Sequence, residues 1–246
     1  MPSDLRERLL AVMDRKNHWA WPSFAEGRVP LQRLLPHFQQ EWEVYVRDFP
    51  VLLARVLGHG PPQRVRTLLA ANIYEEQTGG VSGTRPHPEL FLKMMDGCTF
   101  ARDRFEGVKL LPGALAYRSF LEEVSGREPW ILGAAALTLF VEGSVNERRE
   151  LAALEGPKAS AGELDEAIRR HPLVRLHGVA PEALELVRVH KLVEGGHRAD
   201  AWEAVLGYVT PAQEEAVVRV LERALELWLG FRDAVAGACG LDRAMH

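Results

Sequence analysis

The sequence predicts an all-α fold, and three observations carry that expectation. Apolar residues recur at helical spacing along most of the chain. No run of alternating β-branched residues lies between hairpin turns. Pro88, Pro129, Pro181 and Pro211 stand where helices would begin, and proline suits a first helical turn, where its missing N–H has no partner to lose. The chain has 246 residues. That is somewhat long for an average domain but compatible with one helical domain that buries a sizeable core, and no repeat or low-complexity linker divides it. One bundle-like domain over residues 1–246 is the expectation.

Taken in order, a first helix is expected over Ser3–Lys16 with Ser3 as N-cap. After Pro22 and Gly27 comes a helical stretch over Pro30–Arg47, kinked or restarted at Pro36, rich in aromatics (Phe38, Trp42, Tyr45) and ended by Phe49-Pro50. A short piece, Val51–Leu57, stops at Gly58-His59-Gly60-Pro61-Pro62. The next helix spans Gln63–Gln77 and runs out in Thr78-Gly79-Gly80-Val81-Ser82-Gly83-Thr84, residues that permit turns. Pro88 opens another helix. Further helices are expected over Pro112–Ser125, Trp130–Ala152, Gly162–Arg170, Pro181–Gly207 and Pro211–Ala236.

Composition narrows the function. Apolar residues make up 47% and charged residues 26%, and the 30 basic side chains are outnumbered by 34 acidic ones for a net charge of −4. No basic patch is present, which argues against nucleic acid as a partner. Cys98 and Cys239 are far apart and outside any C-x-x-C spacing, so neither a disulfide framework nor a zinc knuckle is expected. The N-terminus is charged and amphipathic, and the longest apolar run, Ile131 to Val141, is too short for a bilayer. A cytoplasmic protein with no membrane partner follows as an expectation. No H-E-x-x-H, G-x-S-x-G, Walker A or G-x-G-x-x-G pattern is found, which weakens hydrolase and nucleotide-binding readings.

The chemistry concentrates in His190-Lys191-Leu192-Val193-Glu194-Gly195-Gly196-His197. His190, Glu194 and His197 recur at i, i+4 and i+7, which at ~100° per residue places them within roughly 60° of one helix face. Ala183, Leu186, Val187, Val193 and Ala201 share that face. Two imidazoles and a carboxylate inside an apolar stripe need partners, and a metal ion suits that donor set. Two further carboxylates and one histidine could complete it. Glu142 follows the apolar run 134–141, and Glu76 shares a helix face with Val65, Leu69, Asn72 and Ile73, while the wheel leaves Glu75 toward the edge. His87 stands at the mouth of the helix that returns toward the end of the previous one. Each has an ordinary reading alone: Glu142 as a helix-end carboxylate paired with Arg148 or Arg149, His87 as an N-cap. Together they give three carboxylates and three imidazoles from four helices, a set of the kind that builds carboxylate-bridged diiron sites in helical bundles. Three carboxylates against two Fe(II) ions leave a charge near +1.

The order of these pieces resembles the heme-oxygenase-like diiron oxidases, or iron-containing redox enzymes, in the superfamily of pyrroloquinoline-quinone synthase C and thiaminase II. The resemblance covers most of the chain and rests on Asn72-Ile73-Tyr74-Glu75-Glu76, the later His87-Pro88-Glu89-Leu90, Glu142 on its small-residue helix, and the final H-x-x-x-E-x-x-H. It implies metal ligation by Glu76, His87, Glu142, His190, Glu194 and His197. Position 194 is Glu where the family usually has Asp, one methylene longer, which bears on metal spacing. What the resemblance further implies is a heme-oxygenase-like bundle of about seven helices, usually a homodimer. Two Fe(II) ions, or a manganese–iron pair, would activate dioxygen as co-substrate to oxidise a small organic molecule such as an amino acid, a carboxylic acid or an aromatic precursor. The alternatives are a cofactor-free oxidase like quinone synthase C, with the histidines binding substrate and shuttling protons, and a non-catalytic helical metal-binding or interaction protein. A thiaminase-like hydrolase wants a reactive cysteine, and neither Cys98 nor Cys239 has a neighbouring base in sequence.

Overall fold

A computed structural model describes residues 2–154 and 160–243, and within them every side chain except those of residues 2, 3, 193, 194 and 197. The described residues are helical, without strands, as the periodicity implies. The helices are α1 (Pro2–Met13), α2 (Trp21–Ala25), α3 (Leu35–Glu41), α4 (Phe49–Gly58), α5 (Gln63–Thr78), α6 (His87–Gly97), α7 (Pro112–Gly126), α8 (Trp130–Ala134), α9 (Glu147–Ala153), α10 (Ala161–Arg170), α11 (Pro172–Arg175), α12 (Glu185–Leu206) and α13 (Glu214–Ala238). Short 3₁₀ turns precede α3 at Leu31–Leu34 and α12 at Pro181–Leu184. The expected N-cap at Ser3 lies outside the described side chains. No helix among the described residues is long and apolar enough to cross a membrane.

The core is built around α13, whose buried stripe (Val217, Leu221, Leu225, Trp228, Phe231 and Val235) repeats at i+3 and i+4. α7 packs along it most closely, with Tyr117 stacked on Phe231 at a ring-centroid distance of 5.8 Å. Close approach is possible because residue 113 has no side chain: a Cβ there would lie 2.4 Å from the Gly230 carbonyl oxygen of α13. α1 supplies Leu5, Leu9, Leu10 and Met13 to the same core.

One element departs from expectation in a way that matters for the site. The stretch 130–152 is not one rod. α8 passes into a π-helical segment, Ala135–Val141, the chain bends at residues 142–146, and α9 begins at Glu147. The wider turn is buried from Ala135 to Phe140, and Thr138 Oγ1 donates to the Ala134 carbonyl 2.8 Å away. Lys16, from the loop after α1, donates from Nζ to the carbonyls of Phe140 (2.5 Å) and Gly143 (2.6 Å), with Val141 at 3.3 Å. These are carbonyls that an ending helix leaves without an intrahelical N–H. A run of alanines and leucines gives no periodicity from which such a register change could be read, and π turns tend to occur at functional sites. A second π segment, Trp42–Val46, follows α3, so Pro30–Arg47 is likewise three pieces rather than one kinked helix.

Candidate metal centre

The site begins with the turn between α5 and α6. Gly79 caps α5 at φ +65°, a left-handed conformation, and a Cβ there would lie 2.5 Å from the Arg85 carbonyl oxygen. Only glycine lets the chain double back so tightly. The reversal brings His87, the first residue of α6, against the last turns of α5, where His87 is 3% exposed and Glu76 is 8% exposed. His87 Nδ1 lies 2.9 Å from Glu76 Oε1. His190, reaching in from α12, places Nε2 3.3 Å from the same Nδ1, with the two rings 5.0 Å apart at 61°. Glu76, His87 and His190 each present one ligand atom, and these atoms lie within 4.8 Å of one another.

Glu142 follows directly on the π segment and lines the same cavity. It accepts from Asn72 Nδ2 at 3.0 and 3.2 Å through its two oxygens, which ties α5 to the end of that segment. Arg148, offered by sequence as an ion-pair partner for Glu142, instead binds Glu7 and Asp14. Residues 194 and 197 lie about one and two turns beyond His190 on the unbroken helix α12. The two proposed ligands Glu194 and His197 have side chains outside the described set. Four of the six candidates are therefore placed around one cavity.

Glu75 was missed by helical-wheel reasoning. It is not at an edge but fully buried, at 0% exposure. Its Oε2 accepts from the backbone N–H groups of Val81 (2.8 Å) and Ser82 (2.9 Å), and its Oε1 faces His87 Nε2 at 3.2 Å. A wheel describes a helix alone; it cannot show that the following loop folds back over the helix end. Burial opposes charge on the Glu75 carboxyl, but the bonds from Ser82, Val81 and His87 outweigh it and hold its pKa below the ordinary glutamate value. Burial likewise opposes charge on His87, and there Glu76 and then Glu75 prevail and raise its pKa above the usual histidine value.

The cavity encloses about 220 Å³. Tyr45, Val46, Phe49, Thr138, Val141 and Leu186 form its other walls, with Arg198 at one side. Arg198 is 8% exposed and pairs with the buried Glu147 and, at 2.9 Å, with Glu150. Trp202 Nε1 (2.9 Å) and the Ser144 N–H (3.0 Å) also donate to Glu147. This network rivets α12 to the bend that carries Glu142. Tyr45 donates to Glu41, and Arg232 donates to both. The position of Tyr45 beside Trp42 and Phe38 marked an aromatic helix in sequence, yet gave no sign that its ring faces the cavity.

The donor chemistry fits an iron site: carboxylate oxygens and imidazole nitrogens converge, with an adjoining carboxylate and a mostly apolar space for a substrate. Comparison with known proteins points the same way. No curated protein matches the chain. A crystal structure of a TenA homologue from Pseudomonas syringae pv. tomato is similar over 96% of this chain and 92% of its own, with a TM-score of 0.67 and 14% identity. That likeness shows a shared fold, an all-helical bundle. The family described as iron-containing redox enzyme matches residues 36–229, a span that includes every candidate ligand. By that match over well more than half of its length, the chain belongs to the iron-containing redox enzyme family.

Proposed function

We propose that the protein is a non-heme diiron oxidase or oxygenase that uses dioxygen to oxidise a small organic substrate. The observation that carries this reading is the convergence of Glu76, His87 and His190 within 4.8 Å, on a cavity that Glu142 also lines. Glu194 and His197 would complete the ligand set from α12, and family membership supports iron over other metals, with a manganese–iron pair as a variant. Bound Fe(II) would supply the electrons that reduce dioxygen to an oxidant of the substrate.

The chain's own residues do the rest. Val46, Phe49, Val141 and Leu186 give an apolar wall that excludes water and suits a compact hydrocarbon or aromatic body. Asn72 holds the Glu142 carboxylate by both oxygens. Arg198, through Glu147, holds the bend after Glu142 against α12. An amino acid, a carboxylic acid or an aromatic precursor is the substrate class proposed for this space; a homodimer is proposed from the resemblance, and a cytoplasmic setting from the two isolated cysteines.

One observation favours a rival. His87 has a carboxylate on each nitrogen, Glu75 on Nε2 and Glu76 on Nδ1, the pairing a proton-shuttling histidine of a cofactor-free oxidase would use. Dioxygen uptake separates the two. Protein loaded anaerobically with Fe(II) and then mixed with aerated buffer should consume about one dioxygen per pair of irons. No uptake beyond that of the metal-free protein would reject the diiron reading.

A further inference from the structure

Resting on the diiron reading, we infer that Glu75 is a positioning residue for the metal centre: it fixes the orientation and tautomer of His87 so that Nδ1 faces the iron. The two oxygens of this carboxylate have different tasks. Oε2 takes the N–H groups of Val81 and Ser82 and so holds the reversing loop. Oε1 lies 3.2 Å from His87 Nε2 and accepts its hydrogen. The opposite nitrogen, Nδ1, points to Glu76 Oε1 and His190 Nε2, the two other ligand atoms of the cluster.

A neutral imidazole carries one hydrogen, and the nitrogen without it is the one that can bind a metal. Glu76 Oε1 stands 2.9 Å from Nδ1 and Glu75 Oε1 3.2 Å from Nε2; where Glu76 and Nδ1 both turn to a metal, Glu75 keeps the one ring hydrogen on Nε2 and leaves Nδ1 open. Partners of this kind orient ligating histidines and increase their basicity, and their loss commonly weakens metal binding by about 10- to 100-fold. A carboxylate at 0% exposure is costly unless its oxygens are all used. Anchoring the loop alone would leave Oε1 idle, whereas its placement on Nε2 uses it.

Glu75→Gln separates the two tasks. A glutamine has one acceptor oxygen. If that oxygen serves the Val81 and Ser82 N–H groups, its NH₂ meets His87 Nε2, forces that nitrogen to accept, and moves the ring hydrogen to Nδ1, where it blocks the metal. The measurement is anaerobic chelator competition for Fe(II) on wild type, E75Q, H87A and the double variant, with thermal melts of the metal-free proteins. Expected is an affinity about 10- to 100-fold weaker in E75Q with a melt close to wild type, and no further loss when E75Q is added to H87A. Wild-type affinity in E75Q overturns the assignment, as does an equal loss in both backgrounds. If E75Q does not fold, E75D is read the same way, because one methylene less cannot span both the loop and the ring. A wild type that holds no Fe(II) overturns the diiron reading itself and this assignment with it; iron held by wild type and E75Q alike overturns the assignment alone.

Discussion

Replacing Lys16 by methionine should remove one pH-dependent contribution to stability. Lys16 is 9% exposed, with its Nζ on three carbonyls at the end of the π segment and against the rings of Phe140 and Trp228. Burial, helped by the charge of Arg232 and partly offset by Glu147 and Glu41, pulls its pKa from 10.5 down to about 7. The folded pKa is then below the unfolded one. Between pH 7 and 10.5 the unfolded chain binds more protons than the folded one, so stability rises with pH across that window; below pH 7 both states are protonated and the contribution is constant. At about 1.4 kcal/mol per tenfold change in proton affinity, the whole window is worth roughly 5 kcal/mol, of which about 3 kcal/mol falls between pH 7 and 9.5. Methionine exchanges no proton. The assay is urea unfolding of the metal-free wild type and K16M, followed by helical circular dichroism at several pH values. Subtracting the two cancels every other titrating group. The wild-type advantage should grow by about 3 kcal/mol from pH 7 to 9.5, and a difference that stays within about 0.5 kcal/mol over that range would refute the reasoning.

Other expectations are tested by the same unfolding measurement. Arg198→Met leaves the buried Glu147 carboxylate without its cation and should cost about 3–5 kcal/mol; a loss under about 1 kcal/mol, the range of an exposed pair, would count against the network described here. Gly113→Ala drives a methyl into the Gly230 carbonyl and should cost about 1–3 kcal/mol by forcing α7 off α13. Gly230→Ala, whose Cβ would meet nothing within 4 Å, should instead gain up to about 1 kcal/mol from helix propensity. Equal effects at the two glycines would contradict the packing at this contact.

Much of the fold was legible because helical amphipathicity is a local signal. The helices expected over 63–77 and 112–125 are found over Gln63–Thr78 and Pro112–Gly126; Pro88 and Pro181 fall in the first turn of a helix or 3₁₀ turn, and Pro129 and Pro211 lie just before helix starts. What escaped was set by contacts between distant segments. The bend after Val141 depends on Lys16, more than a hundred residues away, reaching its carbonyls. The burial of Glu75 depends on where the next seven residues fold. The candidate ligands were legible for a different reason: a carboxylate or imidazole among apolar neighbours is conspicuous wherever it occurs, and Glu76, His87, Glu142 and His190 do meet at one cavity. Asn72 shares the face of Glu76 in sequence, but its bond to Glu142 becomes visible only with that partner in place, and Arg198 has no pattern of its own.

Iron content is the most direct test of the central claim. Wild type and His190→Ala would be loaded anaerobically with Fe(II), desalted and analysed by mass spectrometry for metal per chain. The expected result is about two irons per wild-type chain and their loss in the variant, because His190 Nε2 stands at the convergence with His87 and Glu76. A wild type that retains no iron, or a variant that retains as much as wild type, would contradict the claim.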